Sequence, residues 1–199
     1  IMTSYKAYEF YKIYHELVNF CSVDLSSFYL DITRDRLYTS KRDSNERRAT
    51  QTTLYIILDG MVRLMAPILS FTSEEIWKYF GDKIEPSCHL VEFPRTYEKF
   101  LNKELEKTWA VLRKTKEEVS KSLELLRQTK LIGNSLDASV SISSTGEVEK
   151  TLTCYKNELN AIFIVSQTNL CKNLNSVTYE SQTIPGLKLL VDKAPGVKC

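Results

Sequence analysis

FCSVDLSSFYLDITRDRLYTSKRDSNERRATQTTLYIILDGMVRLMAP, residues 20–67, decides how this chain is read. It contains two amphipathic segments joined by a hydrophilic connection crowded with cations. In the first, Leu25, Phe28, Tyr29, Ile32 and Leu37 continue a helical face; in the second, Leu54, Ile57, Leu58, Met61, Val62 and Met65 mark one side of a longer helix. Thr39 to Asn45 carries the Ser, Asp and Asn of a boundary, and Pro67 kinks or ends the second helix. The cations are Arg34, Arg36, Lys41, Arg42, Arg47 and Arg48, set among Asp31, Asp35, Asp43 and Glu46, a local excess of six minus four, or +2. Spacing alone leaves two readings open. One is a solvated face laced with weak surface ion pairs. The other is a set of guanidinium groups that grip phosphates or meet exposed bases.

Outward from this stretch the chain stays helical for a long way. Residues 3–20 place Tyr8, Phe10, Tyr11, Tyr14, Leu17 and Val18 at mixed three- and four-residue steps, a helix. Thr72 and Glu75 fit a capping box ahead of a short helix through Ile76, Trp77 and Phe80, which Gly81 stops. Residues 82–100 read as a loop. A long helix over 101–130 follows, with Leu105, Trp109, Leu112, Val119, Leu123 and Leu126 as a stripe suited to packing on the earlier helices. Its cations are offset by acids three or four residues away, except around Arg113, Lys114 and Lys116, the second candidate for backbone contact. Beyond Gly133 and Asn134 the texture changes. SVSIS at 139–143 and LKLLVDKA at 187–194 read as strands, 147–159 as a helix, and the apolar AIFIV at 161–165 as another strand.

Composition excludes several classes. The 199 residues are 43% apolar and 26% charged, ordinary for a globular chain, and the net charge of +2 restricts any nucleic-acid surface to a local patch. No apolar run is long enough to span a bilayer. Five cysteines far apart favour free thiols in a reducing compartment, with Cys21 and Cys154 expected to be buried. The pair Cys88–His89 lacks a second pair at zinc-finger spacing, so it offers little support for a metal. With two histidines, no Ser–His–Asp set can be argued, and no glycine-rich phosphate loop is present; no catalytic residue is expected. Among the aromatics, Tyr11, Phe28, Trp77 and Trp109 are expected in the core. Tyr38, beside the cationic connection, is the candidate platform for a stacked base.

Three strings carry a resemblance: FYLDITRDRLY at 28–38, RRATQTTLY at 47–55 and APILSFTSEEIW at 66–77. In that order they resemble the anticodon-binding region of bacterial-type isoleucyl-tRNA synthetases. The turn IGNSLDA at 132–138 and the ending VDKAPGVKC fit the same family, the isoleucyl branch better than the valyl. The resemblance implies a mainly α fold: a class I synthetase anticodon-binding helical bundle over 1–132, including the long helix, followed by a small α+β subdomain over 133–199. It implies recognition of the anticodon stem-loop of tRNA(Ile) within an isoleucine–tRNA ligase of the bacterial cytoplasm or an organelle, with no membrane association and a monomeric state. The parent would use ATP with Mg and zinc. Its ATP-handling tetrapeptide and loop are absent here, so no catalysis is expected of this chain alone. Ile1 reads as the interior of a longer protein. By the same likeness Cys199 would be the first of four zinc ligands of a module that follows, and no bound metal is expected without the other three. The alternatives are the equivalent valyl domain, or a helical protein–protein module docking a partner on the 101–130 stripe.

Overall fold

The computed structural model describes residues 1–81 and 85–196. It is mainly α-helical with one small sheet, and it divides into two compact units, Ile1–Phe100 and Leu101–Cys199. The division falls ahead of the long helix, whereas the sequence placed the boundary at 132/133.

The first unit begins with two helices where one was expected: α1 (Met2–Lys6) and α2 (Phe10–Asn19). Tyr8 separates them in a left-handed conformation with φ of 58°. A bulky residue adopts that region only when its surroundings hold it there. The Tyr5 hydroxyl supplies one hold by donating to the carbonyl of Leu64 at 2.5 Å. Phe20–Leu30 is wound as a π-helix, then α3 (Asp31–Tyr38) resumes the α form. Hydrogen bonds to the fifth residue widen each turn, so apolar residues spaced for 3.6 residues per turn drift around the axis. No side chain of the π segment is buried as a result. Two of its serines turn back on the backbone, Ser22 Oγ donating to Val18 O at 2.6 Å and Ser27 Oγ to Ser22 O at 2.6 Å.

Helix α4 (Asn45–Met65) starts at Ser44, whose hydroxyl accepts from the Arg47 amide at 3.3 Å, and ends two residues before Pro67. Helix α5 (Ser70–Trp77) starts earlier than the expected capping box. Its cap residue is Leu69, Thr72 lies inside the first turn, and Glu75 pairs with Lys78 instead of reaching back. A compact core joins α4 and α5 to a short turn at Cys88–Leu90: Val62, Ala66, Trp77, Phe80 and Cys88 are buried there. Trp77 Nε1 donates to Glu85 O at 3.0 Å, satisfying the indole N–H within that core. Tyr11, expected inside, is 62% exposed, because α2 buries only Ile13.

The second unit is built on α6 (Lys103–Gln128), capped by Asn102 Oδ1 accepting from the amides of Glu104 at 3.1 Å and Leu105 at 3.0 Å. The strands are β1 (Ala138–Ser143), β2 (Gln167–Leu170), β3 (Tyr179–Glu180) and β4 (Lys188–Lys193), in sheet order β2-β1-β4-β3. Strands β1 and β2 run parallel, linked through α7 (Gly146–Cys154) and α8 (Leu159–Phe163); β4 is antiparallel to β1 and β3. The crossover explains a correction. AIFIV belongs mostly to α8, ended by Ile164 in a left-handed cap, and the strand that follows is the more polar QTNL. Ile162, Phe163 and Val165 are apolar because they are covered, not because they are extended. Cys154, expected to be buried, is exposed at the end of α7.

The stripe on α6 closes this unit's core. Leu112, Val119, Leu123 and Leu126 lie among Val140, Ile142, Leu152, Leu187, Leu189 and Val191, all buried. The turn IGNSLDA has its own logic. Asn134 Oδ1 accepts from the Leu136 amide at 3.1 Å, while Asp137 accepts from the Asn134 amide at 2.8 Å. That reciprocal pair reverses the chain out of α6 into β1.

Candidate nucleic-acid interface

The cations of the opening stretch gather at the elbow between α3 and α4, which pack on each other. Arg34 and Tyr38 are four residues apart on α3 and therefore share a face. Arg34, Lys41, Arg42 and Arg48 are exposed, and Tyr38 is 81% exposed. None of these four cations makes an ion pair with another described residue. The acids interleaved with them in sequence thus leave their charges available to solvent.

Two of the arginines differ. Arg36 is half-buried. Arg47 is also half-buried, and its Nη1 donates to the Ser40 carbonyl at 3.1 Å, closing the connection back onto the first turn of α4. Its Nε is buried without a hydrogen-bond partner among the described residues. Arg47 is accordingly an architectural residue of the elbow, whereas Arg34, Lys41, Arg42 and Arg48 are its open charges. Sequence spacing could not separate them, since all lie in one polar run.

The first turn of α4 concentrates the field further. A helix N-terminus carries about +0.5 of an elementary charge, and cations there weaken the helix. Arg47 and Arg48 occupy that turn, with Glu46 as its one acid. A surface that accumulates positive potential against helix stability is suited to receive an anion, and a phosphate is the common guest of such termini. Tyr38, the last residue of α3, adds an exposed ring to the elbow.

The second cluster does not form one patch. Successive residues on a helix are about 100° apart, which sets Lys114 and Lys116 on nearly opposite sides of α6. Arg113 and Lys116 are half-buried, and each is engaged within the fold; Lys114 is exposed. The two clusters belong to separate units.

A carboxylate in α6 takes an unforeseen place. Glu118 is 2% exposed, and its oxygens accept from Lys121 Nζ at 2.6 Å and the Tyr179 hydroxyl at 3.0 Å. Burial pushes its pKa up, but donation from Lys121, Ser181, Tyr179 and Thr183 outweighs that and holds it lowered to about 2. By spacing alone Glu118 is one of the acids that lie three or four residues from a lysine on this helix. The signal missed was its position between Thr115 and Ser122 on the buried side of the helix.

The mainly α-helical fold agrees with what similarity to known proteins shows. The chain belongs to the family described as the anticodon-binding domain of tRNA ligase, which residues 1–142 match. Over 198 residues it is 46% identical to an isoleucine–tRNA ligase of Syntrophotalea carbinolica, a match covering 98% of this chain and 21% of that one. Comparable similarity holds for the isoleucine–tRNA ligases of Carboxydothermus hydrogenoformans, 43% over 200 residues, and Geobacter sulfurreducens, 40% over 199 residues. These cover 100% of this chain and 21% and 22% of the respective relatives. The chain therefore spans about a fifth of the length of the curated relatives it matches. Cys199 lies outside the described residues.

Proposed function

We propose that this chain reads the anticodon stem-loop of tRNA(Ile) as part of an isoleucine–tRNA ligase. The observation that carries the reading is the α3–α4 elbow, where Arg34, Lys41, Arg42 and Arg48 stand open around an exposed tyrosine and a capped helix N-terminus. Phosphate contacts would supply affinity, and splayed anticodon bases would supply identity through stacking on Tyr38 and hydrogen bonds from the guanidinium forks. The ATP-dependent aminoacylation itself, with its Mg and zinc, would reside elsewhere in the parent, in the cytoplasm or an organelle. This chain would orient the tRNA so that its acceptor end reaches that centre.

The competing idea of a partner helix docked along the α6 stripe has lost its surface, since Leu112, Val119, Leu123 and Leu126 are buried by the chain's own sheet. Binding of the chain to an isoleucine anticodon stem-loop tests the proposal. The expected result is binding whose log K falls by about 0.7–0.9 for each phosphate neutralised per tenfold rise in salt. Equal binding to an unrelated stem-loop would reduce the elbow to a nonspecific basic surface.

A further inference from the structure

Three donor side chains of different chemistry converge beside the small core of the first unit. Glu74 comes from α5, and Cys88 and His89 come from the short turn that follows fourteen and fifteen positions later. A carboxylate oxygen, the thiol sulfur and a ring nitrogen from these residues all lie within 4.8 Å of one another. In the sequence Cys88–His89 offers little support for a metal, because no second pair follows at finger spacing. The fold supplies the third donor from the preceding helix.

We propose that Glu74, Cys88 and His89 form a binding site for a thiophilic divalent cation of the zinc class. The donor set is mixed O, S and N, which zinc accepts and which calcium and magnesium avoid. The spacing fits. Glu74 Oε2 and Cys88 Sγ are 3.2 Å apart, and tetrahedral zinc with ordinary bond lengths would set that separation at about 3.5 Å. His89 is the exposed member, so rotation of its ring can bring a nitrogen in and leave the fourth position to solvent.

The surroundings already orient the first ligand. Ser87 Oγ donates to Glu74 Oε2 at 2.8 Å, the Cys88 amide donates to the same oxygen at 3.2 Å, and the His89 amide donates to Ser87 Oγ at 3.2 Å. Outer contacts of this kind fix the geometry of metal ligands and commonly change affinity by about 10–100-fold when removed. In the metal-free chain the Cys88 thiol keeps its proton and donates it to Glu74; burial first, and then the carboxylate, pushes its pKa up to about 11. On binding, that proton leaves to solvent and a sulfur–metal bond replaces the S–H bond. The cation would tie the turn at 88–90 to α5 beside Trp77, where the core cluster has five buried members among the described residues.

The test is titration of the full chain with zinc, counted by metal analysis, and with cobalt, read by its thiolate charge-transfer and tetrahedral d–d bands. One equivalent with both bands is expected, together with a higher melting temperature when the chain is saturated. Cys88→Ser should abolish the charge-transfer band, and Ser87→Ala should weaken binding by about 10-fold or more. A chain carrying Cys21→Ser, Cys154→Ser, Cys171→Ser and Cys199→Ser together should bind as the original does. His89→Ala alters an exposed side chain, so it keeps the fold while losing affinity, and circular dichroism verifies that. Failure of the unaltered chain to bind one equivalent overturns the proposal. So does a charge-transfer band that survives Cys88→Ser or disappears in the fourfold variant.

Discussion

The hydroxyl of Tyr179 donates to Oε2 of Glu118 across 3.0 Å, joining strand β3 to the middle of α6. Glu118 is nearly closed to solvent, yet it stays ionised because each donor around it answers one of its lone pairs. Hydrogen bonds to a charged partner are worth about 1.5–3 kcal/mol each. Tyr179→Phe, which removes one donor and no packing, should lower unfolding free energy by about that amount in urea melts. Glu118→Ala should cost more, because it opens a cavity and leaves several donors without an acceptor. A Tyr179→Phe chain as stable as the original would show that the contact adds nothing.

The same carboxylate sets an acid limit. Its pKa falls from 4.5 in the unfolded chain to about 2 in the folded one, so between those values the unfolded state binds more protons than the native state. Stability therefore rises with pH through that window: the contribution is complete above 4.5 and is lost as pH falls towards 2. A shift of this size corresponds to at most about 3 kcal/mol. Glu118→Gln should flatten the dependence between pH 4.5 and 2, measured as unfolding free energy against pH. An unchanged slope would assign the acid sensitivity to other carboxylates.

How far the fold could be read in advance depended on whether a signal was local. The stripe on α6 named its own buried residues from Leu112 onward, although Leu105 at its start is exposed and Trp109 only partly buried. IGNSLDA announced its reversal because Asn134 and Asp137 satisfy amides within the turn itself. What covers that stripe was not local. A periodic apolar face asks for a partner but does not name one, and here the partner is the sheet formed by the following residues. AIFIV misled for the same reason, since burial by α6 and the sheet makes a helix of five residues as apolar as a strand. At the elbow, the sequence places the cations in one polar run but cannot sort Arg47 from Arg48. Arg47 is half-buried and donates to Ser40, seven positions back, whereas Arg48 is exposed.

The Asn102 cap offers a clean local test. Its side chain serves two amides that would otherwise lack acceptors at the start of a 26-residue helix. Asn102→Ala should destabilise the chain by about 1 kcal/mol, while Asn102→Asp should retain the cap and gain from the helix dipole. Thermal melts of the two variants, ordered Asp above Ala, would establish this; the reverse order would contradict it.

Sorting Arg47 from its neighbours yields a prediction about RNA. Arg42→Ala and Arg48→Ala remove open charges, so each should reduce the salt slope of stem-loop binding by about 0.7–0.9 and leave the melting temperature unchanged. Arg47→Ala releases the connection at Ser40, so it should lower thermal stability by about 1 kcal/mol and weaken RNA binding with the slope largely retained. Slope and stability measured on the same preparations separate the two roles. A loss of slope in Arg47→Ala at constant stability would make Arg47 a phosphate contact instead.

Tyr38 carries the last prediction, because its contribution to the fold and to binding can be told apart. At 81% exposure the ring adds little packing, so Tyr38→Ala should leave the unfolding curve within error of the original. Stacking of a base on an aromatic ring is worth about 1–3 kcal/mol by alanine substitution. Affinity for the isoleucine anticodon stem-loop should therefore fall by roughly 5- to 150-fold, with the salt slope unchanged because no phosphate contact is lost. Tyr38→Phe keeps the ring and should restore most of the affinity. If Tyr38→Ala binds as tightly as the original, the bases stack elsewhere and the ring is a bystander at the elbow; if Tyr38→Phe fails to rescue, the hydroxyl and not the ring face makes the contact.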